Sequence, residues 1–248
     1  MPRYFLEIRF DGTPYRGWQN QPVAPSVQAE VERALATALH QQKVNAVGCG
    51  RTDTGVHAHS FFLHFDAEAD DLGDRFTNSL NGLLPESIAV MRILRVPDDA
   101  HARFSATART YTYQVHRQKD PFLTGRSWYL RAALDVERMN EACKAILGEQ
   151  DFSGFQKTGS DNRTSRCHVH GALWTGDGPH SLFTITADRY LRNMVRAIVG
   201  SCVRVGQGMA GVDELKQILD SRDRGRAGKS APANGLYLER IAYPFIPA

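Results

Sequence analysis

Apolar and polar positions alternate from the start of the chain. Tyr4, Leu6, Ile8 and Phe10 share one face, and Phe5, Glu7 and Arg9 the other, which is the two-residue period of a half-buried strand. Asp11-Gly12-Thr13-Pro14 ends that strand with turn formers. The period then lengthens: Val27, Val31, Ala34, Leu35, Ala38 and Leu39 form one helical stripe, with Ser26 placed as its N-cap after Pro25. Strand patterns follow at 43–49 and 60–66, a helix at 72–83 and a strand at 87–96. This β-α-β-β-α-β order is a split βαβ arrangement. The second half has a similar outline. A strand at 107–117 carries Tyr111, Tyr113 and Val115 on one face. Asp135 caps a helix bearing Val136, Met139, Cys143, Ile146 and Leu147. Strands at 164–175 and 180–188 precede a helix at 190–206 with Met194, Val195, Ile198, Val199 and Cys202, then a short helix near 212–221 and a strand at 236–243. The expected fold class is α+β: two α/β halves, 1–105 and 106–248, with mostly antiparallel sheets, helices on one face and a central cleft.

Composition changes this picture little. The 248 residues are 42% hydrophobic, enough for a substantial core and too apolar for a disordered chain. No apolar run approaches the ~18 residues that span a bilayer, and the opening strand pattern is not that of a secretory signal. A cytoplasmic location with no membrane contact is the expectation. The four cysteines, at 49, 143, 167 and 202, have no CxxC pairing and read as reduced thiols. Neither Cys167-His168-x-His170 nor Cys49 with His57 and His59 has the paired spacing of zinc sites, so no metal is expected. The net charge is only +3, yet 24 of the 30 basic residues are arginine. A GC-rich genome produces that bias without any function, but arginine's planar fork also suits phosphate oxygens and base faces.

The strongest chemical signal is Gly50-Arg51-Thr52-Asp53-Thr54-Gly55-Val56-His57-Ala58-His59, between apolar segments at 44–49 and 61–65. It sets one carboxylate between two glycines with an arginine two positions before it. In an extended segment, positions i and i+2 lie on one face about 6–7 Å apart, so Arg51 is expected to sit against Asp53 and keep it ionised and nucleophilic. A plain turn or a structural ion pair would use the same residues. Asp53-Thr54-Gly55 also matches the aspartic-protease triplet, but those enzymes need two aspartates sharing a proton; this chain has one such triplet, with Arg51 where the proton would be held. A second constellation runs from Arg103-Phe104-Ser105 to Arg109-Thr110-Tyr111-Thr112-Tyr113. A tyrosine flanked by arginines suits base stacking with phosphate contacts, whereas Tyr113 is better read as core. In a third, Tyr190-Leu191-Arg192-Asn193-Met194-Val195-Arg196, Arg192 and Arg196 are read as i and i+4 on a solvated helix face.

Together with Tyr15-Arg16-Gly17-Trp18-Gln19-Asn20-Gln21, Leu80-Asn81-Gly82-Leu83-Leu84-Pro85, Asp151-Phe152-Ser153-Gly154-Phe155 and Ala231-Pro232-Ala233-Asn234-Gly235, these blocks make the chain resemble the tRNA pseudouridine synthase A family over nearly its full length. The resemblance implies the pseudouridine synthase fold and a homodimer. It implies isomerisation of uridine to pseudouridine at positions 38, 39 and 40 of the tRNA anticodon stem-loop, without cofactor. It matches the catalytic nucleophile to Asp53, the motif arginine to Arg51, a basic group near the carboxylate to Arg196, and the base-stacking tyrosine to Tyr111, with Arg109 beside it as a substrate contact. Thr54 stands where the family commonly has alanine, a change that leaves the carboxylate chemistry intact. A relative with another uridine target and a silent RNA-binding relative are the alternatives.

Overall fold

The computed structural model describes residues 1–69, 72–159, 163–176 and 178–247. It divides into two compact units, Met1–Thr107 with Tyr237–Ala248, and Ala108–Leu236. In the first unit the elements are β1 (Arg3–Phe10), α1 (Val27–Ala38), β2 (Val47–Gly48), β3 (His57–Asp66), α2 (Asp74–Leu83), β4 (Ile88–Val96) and β10 (Leu236–Ala242). Its sheet runs β4-β1-β3-β10 with β2 on β3, antiparallel except for β3 and β10, where His57 and Ala58 face Tyr237 and Leu238 in parallel register. Ser26 caps α1 as the pattern predicts, its side chain accepting the Ala29 N–H at 3.2 Å, a bond worth about 1 kcal/mol in such caps. The 43–49 strand shrinks to two residues, and β3 begins three positions earlier than its predicted start.

Alternation along β1 mispredicts one residue. Phe5 lies on the face assigned to polar groups, yet it is fully buried. Tyr243 and Phe245 meet it edge-on, at 5.1 and 5.6 Å between ring centres. The Tyr243 hydroxyl then donates to the Ala102 carbonyl at 2.6 Å. The C-terminal segment thus covers the second face of the first unit's sheet. For this reason residues 237–248 group with the first unit rather than with the second half to which the sequence pattern assigned them.

The second unit contains β5 (Ala108–His116), β6 (Trp128–Tyr129), α3 (Val136–Cys143), β7 (Gly148–Asp151), β8 (Arg166–Thr175), β9 (His180–Ala187), α4 (Met194–Gly206) and α5 (Glu214–Ser221). Its sheet is β5-β9-β8-β7, antiparallel throughout, with β6 parallel to β5. Tyr113, Phe183, Ile185 and Trp174 are buried on one face of this sheet, and Met139, Cys143, Ile198 and Cys202 are buried on α3 and α4. Asp135 accepts the Arg138 N–H and caps α3, as expected. Two short strands, β6 and β7, carry no alternation long enough to read. Helix α4 starts at Met194, not at 190, because Asn193 adopts a left-handed conformation (φ 67°) that interrupts any helix continuing from Tyr190.

One buried imidazole makes the first unit acid-sensitive. His64 accepts the Ala102 N–H through Nδ1 at 3.1 Å and packs edge-on against His101. Burial, then the Arg3 guanidinium and His101, hold its pKa at about 4. The unfolded chain, with an ordinary imidazole near 6.5, therefore binds the proton first. Stability is expected to be complete above pH 6.5 and to fall as pH drops toward 4. Urea midpoints measured across that window should decline in the wild type, and less steeply in His64→Asn.

Candidate active site

Backbone contacts hold the Asp53 loop at both ends. The Cys49 N–H donates to the Phe62 carbonyl at 2.8 Å, β2 stops at Gly48, and β3 does not begin until His57. Between them the chain turns tightly: Gly55 has φ 76°, and the Val56 N–H donates to the Asp53 carbonyl at 3.2 Å. Residues 12–18 form the bed beneath. A Cβ on Gly12 would lie 2.0 Å from the Val56 oxygen, and one on Gly17 (φ 94°) 2.3 Å from the Thr52 oxygen. Only glycine permits either approach. The bed is itself tied down: the Tyr15 N–H bonds the Gly12 carbonyl, the Arg16 N–H bonds the Pro25 carbonyl, and the Tyr15 hydroxyl pairs with Ser87 at 2.7 Å. Trp18 packs on Phe61, ring centres 4.3 Å apart, and its indole fills the space a Gly48 side chain would need.

His57 closes the loop from its other end. It is 2% exposed and stacks on Tyr237 at 4.6 Å, and its Nδ1 receives the Gly12 N–H at 3.1 Å with Asp11 Oδ1 3.2 Å away. The sequence reading left this histidine without a role; the structure makes it a support of the turn. Asp53 is half-buried at the centre of the loop. Arg51 is exposed, and among the described residues no ion pair ties it to Asp53. The expected pairing assumed an extended segment. Residues 51–53 lie beyond the end of β2, where the same-face rule for i and i+2 does not apply.

The other predicted residues belong to the second unit. Tyr111 sits on β5 opposite Ile185, half-buried, with its ring edge-to-face against Tyr190 at 5.1 Å and 87°. The Tyr190 hydroxyl lies within hydrogen-bond distance of the Arg109 and Ile185 carbonyls, at 3.1 and 2.9 Å. Burial and the neighbouring Tyr111 hold that hydroxyl protonated. Tyr190 thus fixes the ring of Tyr111 against the strand, a contact that strand periodicity does not reveal. Arg109 donates through Nη1 to the Asp188 carbonyl at 2.9 Å. Tyr113 is core, as read from the sequence, with its hydroxyl donating to the Pro232 carbonyl at 2.7 Å.

Arg196 departs from the solvated face assigned to it. It is half-buried in the first turn of α4, and its Nε donates to the Ala231 carbonyl at 2.8 Å. The Ala231 N–H returns a bond to the Arg196 carbonyl at 2.9 Å. Arg192, its supposed i+4 partner, precedes the helix and is exposed. Close approach of the 229–235 segment is possible because Gly200 and Gly235 have no side chains; a Cβ there would meet the Lys229 oxygen at 2.2 Å and the Gln114 oxygen at 2.7 Å. Among the described residues no ligand cage surrounds Cys167. Cys167 is buried, whereas His168 and His170 are exposed on the other face of β8 and stack on each other at 4.7 Å. Among the described residues no group of three His, Cys, Asp or Glu side chains could hold a metal.

Residues 142–244 match the family model described as tRNA pseudouridine synthase. The chain is 47% identical to tRNA pseudouridine synthase A of Porphyromonas gingivalis, over 98% of both chains. It is 46% identical to the proteins of the same name from Parabacteroides distasonis and Bacteroides thetaiotaomicron, again over 98% of this chain and over 97% and 91% of theirs. The chain belongs to the tRNA pseudouridine synthase A family. Similarity to tRNA pseudouridine synthase A therefore extends through the first unit, with its Asp53 loop, as well as through the second, with Tyr111 and Arg196. The motif glycines that the sequence offered only as matches, Gly17 and Gly235 among them, turn out to be points where two backbones touch.

Proposed function

We propose that this protein isomerises uridine to pseudouridine in tRNA, at positions 38, 39 and 40 of the anticodon stem-loop, with Asp53 as the nucleophile. Similarity to tRNA pseudouridine synthases A along essentially the whole chain, including the aspartate loop, carries this reading. The reaction breaks the bond between N1 and C1′, turns the base and joins C5 to C1′. The C5 hydrogen leaves as a proton and N1 gains one, so no electrons are exchanged and no group is added. A nucleophile and a means of holding the base suffice, and no cofactor is required. Asp53 supplies the carboxylate, on a loop whose place is set before substrate arrives. The target base must leave its stack to be reached, and Tyr111 holds its face. Arg196 acts as the basic group serving the carboxylate, and Arg51 and Arg109 act on the RNA backbone.

The test is tritium release from a tRNA transcript labelled at uracil C5, with the product nucleotides mapped. Release from uridines 38–40 is the expected result; product at other uridines would reassign the target, and binding without release would leave an RNA-binding relative. Tyr111→Phe keeps the stacking face and should stay within about tenfold of wild type, whereas Tyr111→Ala should lose about 1–3 kcal/mol of base holding. A fall in Tyr111→Phe as deep as that in Tyr111→Ala would assign the work to the hydroxyl. We further propose a cytoplasmic homodimer, for which light scattering in solution should give twice the mass of the chain. No helix among the described residues is long and apolar enough to cross a membrane.

A further inference from the structure

We propose that the groove formed by residues 153–159 and 222–225 is a second RNA contact, holding a backbone phosphate of the strand that carries the target uridine. The proposal rests on the tRNA reading above and adds a site to it. The groove has a volume of about 700 Å³, and not one of the side chains lining it is apolar. Small-molecule pockets are mostly apolar; this lining has no aromatic ring and no apolar side chain, and its guanidinium groups suit phosphate oxygens. It offers three cations, Lys157, Arg222 and Arg224, against one carboxylate, Asp223. That carboxylate is turned into its own loop, where Oδ1 accepts the Gly225 N–H at 2.8 Å.

The cations differ in a way that suits a phosphate site. Arg224 is part of the framework: Nη1 donates to the Ala227 carbonyl at 2.9 Å and Nη2 to Ser230 Oγ at 2.8 Å. Arg222 is the reaching group. Its side chain is 70% exposed, with Asp151 3.6 Å from Nε. It also ends α5 in a left-handed conformation (φ 53°), where glycine or asparagine is the unstrained choice. An arginine there bears a conformational penalty that glycine or asparagine would avoid. Lys157 is exposed on the facing loop, which is held by its N–H to the Arg192 carbonyl at 3.0 Å.

The same framework leads to Arg196. Ser230 Oγ receives Asn193 Nδ2 at 2.7 Å as well as Arg224, and Asn193 is the residue from which α4 starts. The next residue, Ala231, is bonded to Arg196 through both backbone and side chain. Within the second unit, groove and Arg196 are therefore fixed relative to each other by one short chain of hydrogen bonds.

The experiment compares wild type with Arg222→Asn, Lys157→Gln and the double variant, in equilibrium binding of an unmodified tRNA transcript followed by fluorescence anisotropy. Arg222→Asn suits the left-handed backbone, so the fold survives and its thermal midpoint is the check. Each single change should weaken binding about three- to tenfold near 150 mM salt and lower the slope of log K against log salt by about 0.7–0.9. The double variant should lower the slope by about twice that. In turnover the loss should fall in KM more than in kcat. Lys216→Gln, which removes an exposed charge on α5 outside the groove, should keep the wild-type slope. Wild-type affinity and slope in the double variant would overturn the proposal, as would an equal loss in Lys216→Gln. Binding needs no turnover, so a wild type that makes no pseudouridine would sink the isomerase reading and leave the groove to be judged by its slopes.

Discussion

Asp53→Asn is expected to release tritium from C5-labelled tRNA at least about 10⁴ times more slowly than wild type, in line with the loss when a nucleophile is removed from an otherwise intact site. The amide has the size of the carboxylate but neither its charge nor its nucleophilicity. The Gly12 and Gly17 contacts and the Val56–Asp53 turn are backbone, so the substitution should leave them in place. The thermal midpoint and the affinity for tRNA should therefore stay close to wild type. An Asn variant with near-normal turnover would remove Asp53 from the mechanism, whatever the family relationship. Equal loss of turnover and of tRNA binding would instead show that the carboxylate organises the RNA site.

Gly17→Ala should produce the second-largest effect, and through a different cause. The new methyl would stand 2.3 Å from the Thr52 carbonyl oxygen, which must retreat by about 1 Å to reach van der Waals distance, and the residue would keep φ 94°, which L side chains rarely adopt. Backbone strain and overpacking together amount to about 2–4 kcal/mol, or roughly 5–15 °C in thermal midpoint for a chain of this length. A retreat of that size moves the carboxylate too, and a misplacement of about 1 Å costs on the order of 10²-fold in rate. The loss of kcat should therefore exceed anything the unfolded fraction explains at a temperature where the variant is fully folded. Gly82→Ala is the comparison: among the described residues no atom lies within 4 Å of its Cβ, and in the last turn of α2 it should be neutral or slightly stabilising. Gly17→Ala with unchanged kcat would mean that the bed does not position the loop.

Legibility in the sequence followed the range of the interaction. Strand β1, the Ser26 cap and the β-α-β-β-α-β order depend on neighbours a few residues away, and local pattern was enough to read them. So was the presence of a special turn at 50–56. What the turn rests on was not legible, because the contacts of Gly12 with Val56 and of Gly17 with Thr52 join distant segments, and a glycine does not announce what lies against it. Arg196 failed as a helix-face reading for the same reason: its partner, Ala231, is 35 residues away. Phe5 broke the alternation because Tyr243 and Phe245 bury a face that the local sequence leaves open. Arg51 and Asp53 were the opposite case, a local rule applied beyond the end of its strand.

The stacking of His57 on Tyr237, and the pairing of β3 with β10, bear on the order of events during synthesis. His59 and its partner Glu239 are 180 residues apart, and the whole second unit lies between them. A ribosome delivers residues in sequence, and domains commonly fold as they emerge. Here the unit that carries Asp53 begins first and must wait, with one edge of its sheet and one face of Phe5 uncovered, until the second unit has been made. The ring that His57 packs on therefore arrives last, and a chain interrupted before Tyr237 would carry the Asp53 turn with His57 uncovered on that side.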